Sequence, residues 1–189
     1  MGVILAREMT NYSDATRADV IRGYVNAKPN KAQAIQLEVG APWRSSEHED
    51  EDTAIERTLE GCQLRWGAPC ALLAVNDDMV AEGRLEAKDM PRVNYTGIYE
   101  VSQIPAIRRS TRQRPDVQNY EKAMEPKAMA IHPWGRLFIS AGGAGPREAQ
   151  ASALAQCNDD PSRNHRDGDC FVYAVGNNVV ISEKRTSPK

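Results

Sequence analysis

The chain has 189 residues, of which 41% are hydrophobic and 26% charged, with a formal net charge of −2. That length admits one large domain or two small ones, and the near-neutral charge gives no support to nucleic-acid or membrane-surface binding. No apolar run approaches the roughly eighteen residues of a membrane span.

Met1-Gly-Val-Ile-Leu-Ala lacks the basic n-region and the length of a signal peptide. Either the protein is intracellular or the chain starts after its signal. Val3 to Ala6 is expected as a short strand, and Asn11-Tyr-Ser-Asp as a turn. Thr16 to Asn26 reads as a helix, because Val20, Ile21 and Tyr24 share a face, with Thr16 or Asp14 as N-cap. Lys28-Pro-Asn ends it, since the residue before proline avoids the helical region. Lys31 to Val39 alternates small or apolar with polar residues, the pattern of a strand with one buried face. Gly40-Ala-Pro-Trp turns into a second strand through Trp43 and Ser45.

Ser46 is placed as the cap of the next helix, with Glu49 at capping-box spacing. The acidic run Glu47, Glu49, Asp50, Glu51, Asp52 then sits in the first turn, where the helix dipole favours negative charge. Ala54, Ile55, Leu59 and Cys62 share a face, Gly61 begins to weaken the helix, and Trp66-Gly-Ala-Pro is the loop. Cys70 to Val75 is apolar and suits the centre of a sheet. Asn76-Asp-Asp makes a hairpin turn, and Met79 to Ala81 begins the return strand. Glu82 to Arg92 reads as a polar connector and Val93 to Tyr99 as a strand. Ile104 to Arg114, which carries Arg108, Arg109, Arg112 and Arg114, reads as a linker or short broken helix, and Asp116 to Met124 as a helix.

From there the chain repeats itself. Tyr24-Val-Asn-Ala-Lys-Pro-Asn-Lys-Ala-Gln-Ala-Ile matches Tyr120-Glu-Lys-Ala-Met-Glu-Pro-Lys-Ala-Met-Ala-Ile at an offset of 96, as from Tyr24 to Tyr120. Gly40, Trp43, Ser45, Ala54, Leu59 and Cys62 face Gly135, Phe138, Ser140, Ala149, Leu154 and Cys157 at an offset of 95. After a longer second loop, Cys70, Ala74, Val75 and Val80 face Cys170, Ala174, Val175 and Val180. Such matches point to an internal duplication, with residues 1–92 as the first unit and 93–189 as linker and second unit. Each unit reads helix, two strands, helix, two strands. Gly2 to Arg7 also resembles the closing strand of such a unit (Asn178 to Arg185), as if the chain were cut from a longer array. The expected class is α+β, each unit a small antiparallel sheet covered by a helix, packed as a pseudo-symmetric pair.

The four cysteines, Cys62, Cys70, Cys157 and Cys170, allow three pairings. The repeat favours Cys62–Cys70 and Cys157–Cys170, because each unit then closes itself at the point where a helix end meets the next strand. Zinc sites usually show Cys-x-x-Cys pairs or close histidines. Here the gaps are seven and twelve residues, with His165 alone between paired cysteines, so no metal is expected. Disulfides belong to oxidising compartments, which favours a periplasmic or secreted location. Reduced cysteines would instead place the protein in the cytoplasm.

Candidate chemistry is sparse. Ala141-Gly-Gly-Ala-Gly-Pro precedes a helix, as phosphate loops do, but no Lys-Ser/Thr follows, and no cofactor motif occurs elsewhere. His48, His132 and His165 and the equivalent Ser45 and Ser140 are the raw material of a Ser-His-Asp triad, yet there is no Gly-x-Ser-x-Gly elbow. His132, beside Pro133, is read as a loop histidine of the surface. The arginine run has no interleaved aromatics, so stacking of single-stranded nucleic acid is not supported. Trp43 and Phe138, matched across the repeat, are read as core anchors. Trp66 and Trp134 are unmatched and, with His132, His165, Arg108 and Arg109, form the set of candidate binding residues. The unmatched loop Asn158 to Asp169 joins His132 as the place for any function peculiar to the second unit.

The pattern Lys-Ala-x-Ala-Ile, Gly, aromatic-x-Ser, Ala-x-x-x-x-Leu-x-x-Cys, then Cys and Ala-Val-x-Asn/Asp resembles the small bacterial family termed domain of unknown function 4189, and its tandem relatives. Its carriers are Ala34, Gly40, Trp43, Ser45, Ala54, Leu59, Cys62 and Cys70, and in the second copy Ala130, Gly135, Phe138, Ser140, Ala149, Leu154, Cys157 and Cys170. The resemblance omits residues 82–115 and implies an exported, disulfide-bonded domain without an assigned activity. The expected function is therefore a non-catalytic exported module that binds a protein or envelope partner or its own copies, without nucleic acid or membrane insertion. The rivals are a hydrolase using His132 or His48 in a cleft between the units, and a regulatory or assembly subunit of a larger polypeptide.

Overall fold

The structure, a computed structural model, describes residues 1–80, 84–162 and 168–181. It is of the α+β class, and the chain divides into two compact units, Met1–Met90 and Pro91–Lys189.

The first unit opens on helix α1 (Gly2–Glu8), not the strand expected there. The run Val-Ile-Leu-Ala is apolar but too short for periodicity to separate a buried helix from a strand. Packing decides it: Leu5 and the following Met9 are fully buried in a cluster with Ile35, Ala71, Leu73 and Leu85. The likeness of this segment to a closing strand falls with it. Helix α2 (Asp14–Val25) is capped by Ser13, whose hydroxyl accepts from the Thr16 N–H at 3.2 Å, rather than by Thr16 or Asp14. Strands β1 (Ala32–Gln36) and β2 (Ala41–Ser45) pair antiparallel, with Ala34 opposite Trp43. Helix α3 (Glu51–Trp66) is capped by Asp50, which accepts from the Thr53 N–H at 2.7 Å, and not by Ser46. A carboxylate at that end answers both the open N–H groups and the helix dipole. Gly61 does not end the helix; Gly67 does, at φ 80°, the left-handed cap that glycine adopts at least cost. Strands β3 (Cys70–Val75) and β4 (Asp78–Met79) form the expected hairpin, and β5 (Ala87–Lys88) adds to β3 from within the segment read as a connector. The sheet order is β2-β1-β3-β4, with β5 beside β3. Side chains alternate across a sheet, so α1 and α2 meet the face of Ile35, Ala71 and Leu73. Helix α3 meets the other face, where Cys70 bonds to it.

The second unit begins with a segment that is not a linker. It carries β6 (Gly97–Ile98) and α5 (Pro115–Gln118), shorter than the strand and helix expected there, and α4 (Arg109–Arg112), which is the short helix that Ile104 to Arg114 allowed. Val93, Tyr99, Ile104, Ile107, Val117 and Tyr120 are buried by it. The Tyr99 and Tyr120 rings lie 4.7 Å apart, and the Tyr99 hydroxyl donates to the Val117 carbonyl at 2.6 Å. Scattered apolar residues without a period gave no sign of this layer. Strands β7 (Lys127–Ile131) and β8 (Leu137–Ala141), helix α6 (Pro146–Asn158) and strands β9 (Phe171–Val175) and β10 (Asn178–Val179) follow. The sheet order is β6-β10-β9-β7-β8, which leaves β8 as an edge. Helix α6 buries Ala149, Ala153 and Cys157 against Ala128 and Ala130, a contact of small residues that lets helix and sheet approach closely, with Leu154 and Phe138 packed at its side.

Several details recur between the units at the repeat offset. The matching strands β1 and β7 each have a register shift, at Gln33/Ala34 and at Met129/Ala130. Each begins beside a buried lysine that lies over a tyrosine ring, Lys31 on Tyr24 at 5.0 Å and Lys127 on Tyr120 at 5.2 Å. Both ammonium groups also donate to carbonyls of the preceding segment, Val25 in one case and Glu121 and Ala123 in the other. Disulfides Cys62–Cys70 and Cys157–Cys170 close each unit on itself, with Cα separations of 6.2 and 6.1 Å. Two such bridges fit an oxidising, extracellular-type environment. Among the described residues, no helix is long and apolar enough to cross a membrane.

Candidate functional site

Two polar constellations stand out, one in each unit. In the first, Ser45 at the end of β2 meets His48 three residues on. The imidazole Nε2 lies 2.8 Å from Ser45 Oγ, and Ser45 Oγ is hydrogen-bonded in turn to Thr58 of α3. On the other side of the ring, Nδ1 is 3.2 Å from Arg57 Nη1. Guanidinium carries donors only, so Nδ1 accepts and the neutral ring holds its proton on Nε2. Nε2 therefore donates to Ser45. A general base must do the reverse and take the serine proton. The chain has the contact of a Ser-His pair with the polarity of a structural one, and His48, Arg57 and Thr58 are all buried.

The second constellation lies around the β7–β8 hairpin. Arg108 and Thr111 from the α4 region, Arg114 before α5, and Trp134, Gly135, Arg136, Leu137 and Phe138 from the hairpin line one cleft of about 370 Å³. That is the small end of ligand-pocket sizes. The tight turn puts these groups there. The His132 N–H donates to the Arg136 carbonyl at 2.9 Å, the Gly135 N–H to the His132 carbonyl at 2.8 Å, and the Trp134 N–H to His132 Nδ1 at 3.2 Å. His132 is thus the framework of the turn. It is fully buried, against the surface placement expected from its sequence position. Trp134, held at the tip, is 50% exposed. Arg114 ties the α5 segment to the hairpin by donating to the Leu137 carbonyl at 2.9 Å, and pairs with Asp116. Its guanidinium holds the Asp116 carboxyl below the usual carboxylate range. Arg136 lies 3.7 Å from Asp160 and donates to the Ser162 carbonyl. Arg108 and Arg109 are exposed, and among the described residues neither has a charge partner. The cleft is cationic at its rim, with an indole beside the charge.

The candidate binding residues therefore separate. Arg108 and Trp134 line one cleft, and His132 supports it from behind. Arg109 is a neighbour of Arg108 outside the lining. Trp66 ends α3 in the first unit, with the Arg65 guanidinium 4.7 Å over its ring. His165 and part of the Asn158–Asp169 loop lie outside the described residues. Thr111, Arg114, Arg136 and Phe138 were missed as a group. The one signal was the arginine run itself, because its aromatic partner comes from a hairpin some twenty residues later. The Gly-rich loop before α6 carries no phosphate-site geometry, since the carboxylate of Glu148 accepts the Ala144 N–H there. Among the described residues, no three metal-ligating side chains come together. No family model, no curated protein and no solved structure matches this chain.

Proposed function

We propose that the chain is a non-catalytic exported binding module whose partner-contacting site is the arginine-and-tryptophan cleft of the second unit. The observation that carries this is the convergence of Arg108, Arg114, Arg136 and Trp134, from separate segments, on one surface depression. Arginine and tryptophan are the residues that most often dominate binding energy at interfaces, because each pairs a large contact area with directional polar groups. Arg108, which has no charge partner among the described residues, selects for negative charge. The two disulfides favour an exported protein, periplasmic or secreted, and the motif resemblance to domain of unknown function 4189 points the same way. The partner in this reading is a protein or envelope component that presents carboxylates or other anions.

The hydrolase reading has one observation on its side, the 2.8 Å contact of Ser45 and His48. The hydrogen bond that Arg57 donates to His48 Nδ1 argues against it.

The test is equilibrium binding of fluorescent poly-glutamate to the full chain at low and moderate salt. The expected result is saturable binding that weakens with salt, as exposed charge pairs do, and falls at least tenfold in Arg108→Glu and Trp134→Ala. Binding that both variants leave unchanged overturns the reading.

A further inference from the structure

We infer that the cleft is one end of a longer site, and that the second unit captures an extended acidic peptide segment as an added strand on the outer edge of β8. This rests on the proposal that the arginine-and-tryptophan cleft is a binding site, and adds to it the form and chemistry of the occupant.

Among the described residues, strand β8 pairs only with β7 and ends its sheet. Which of its main-chain groups face outward follows from three hydrogen bonds. The Arg136 carbonyl accepts from His132, and the Gly142 N–H donates to Pro126, so the even-numbered positions face β7. The Leu137 carbonyl accepts from Arg114 instead, so the odd-numbered positions face away. The N–H and C=O groups of Ile139 and Ala141 thus point off the sheet, with no partner strand among the described residues, a template for a further strand. Sheet edges are usually protected by charge or proline. The sequence Leu-Phe-Ile-Ser-Ala has neither.

The arginines lie at one end of this edge. Leu137 and Phe138 belong both to β8 and to the cleft with Arg108, Thr111, Arg114 and Trp134. At about 3.3 Å per residue, a peptide paired beside Ile139 and Ala141 reaches the cleft roughly two residues beyond its paired part. Its side chain there meets Arg108 and the half-exposed Trp134 ring. Carboxylates at that position match the charge, and the small volume suits one or two side chains. Main-chain pairing supplies affinity without sequence, and the arginine end selects for acid. That division of labour is the usual one in strand addition.

The test uses the full chain and an eight-residue probe of alternating Val and Thr flanked by two Glu at each end, so that either strand direction presents acid to the cleft. Binding is read by calorimetry. Two altered probes separate the parts: one with Gln for every Glu, the other with N-methyl groups on alternate residues, which removes strand pairing. Both are expected to bind at least tenfold more weakly than the parent. Ile139→Pro, which removes an outward N–H where an edge strand tolerates proline, is expected to lose at least tenfold with an unchanged circular dichroism spectrum. The N-methylated probe keeps the test independent of whether that variant folds. If the N-methylated probe binds as tightly as the parent while the Gln probe does not, strand addition is wrong and the cleft proposal stands. If neither the parent nor poly-glutamate binds, both fall.

Discussion

Arg57 Nη1 lies 3.2 Å from His48 Nδ1, with both side chains buried. This one contact sets the direction of the hydrogen bond that follows it, from His48 to Ser45, whose hydroxyl is also bonded to Thr58. A serine that receives a hydrogen bond from its histidine is not activated. A fluorophosphonate probe should therefore leave Ser45 unlabelled in the folded chain, and Ser45→Ala should change no hydrolytic rate. A covalent adduct on Ser45 would contradict this. The same contact has a stability consequence. His48→Ala takes an acceptor from a buried guanidinium and should cost on the order of 1–3 kcal/mol, measured by urea denaturation.

Gly40 precedes β2 at φ 65°, and a Cβ built there would come within 2.3 Å of the Glu8 main-chain oxygen. Neither problem is relieved by moving a flexible side chain, because the obstacle is the end of α1. Gly40→Ala is expected to destabilise by on the order of 1–3 kcal/mol and to loosen α1 first. Hydrogen exchange of residues 2–9 reads this directly, and unchanged protection there would show that α1 does not depend on the close approach.

The disulfides make a chemical prediction. Alkylation of the freshly unfolded, non-reduced protein should label no thiol, and all four cysteines after reduction. Four labels before reduction would remove the bridges and the export argument with them. Each bridge closes a short loop, so reduction should cost about 2–3 kcal/mol per unit on the chain-entropy model.

Buried tyrosines set the alkaline limit. Tyr24, whose hydroxyl donates to the Asn76 carbonyl at 2.8 Å, is pushed up to about 12, first by burial and then by Asp77 and Glu51. Tyr99, Tyr120 and Tyr173 are raised as well, each chiefly by burial. A phenol whose folded pKa lies above its unfolded value of about 10 favours the native state while neutral. That contribution is complete below pH 10 and is lost as pH rises towards 12. Tyrosinate absorbance and circular dichroism should thus change together above pH 10. A titration of these phenols that is complete near pH 10 with the fold intact would contradict their burial.

How much was legible in the sequence differs by segment. The hairpins and the two long helices announced themselves, since their apolar residues keep a period and recur at a fixed offset. The cysteine pairs were legible because duplication limits the connectivities. Helix α1 was not, because four apolar residues fit either element and only its contacts with Ile35 and Leu73 decide. The cap of α3 was misplaced by four residues, since Ser46 and Asp50 both lead an acidic stretch and only chain geometry chooses between them. The cleft was legible in its parts and not as a whole. Arg108 and Trp134 could be picked out singly, but their meeting depends on Arg114 reaching the Leu137 carbonyl, which no spacing rule encodes. His132 was misread because a histidine before proline looks like loop chemistry, whereas here its ring is the scaffold of the turn.

That turn also places Trp134 and Arg136, so His132→Ala should weaken anion binding although the ring itself never reaches solvent. Comparison of its affinity with that of Trp134→Ala checks this; an unchanged affinity would detach the turn from the site.

The most direct test of the central claim is a residue-resolved titration of the full, isotope-labelled chain with poly-glutamate, followed by amide and indole N–H shifts. Saturable shifts are expected at Arg108, Thr111, Arg114 and Trp134 to Phe138, with the Trp134 indole among the largest. Shifts centred instead on Trp66 or on Ser45 and His48, or none that saturate, would contradict it.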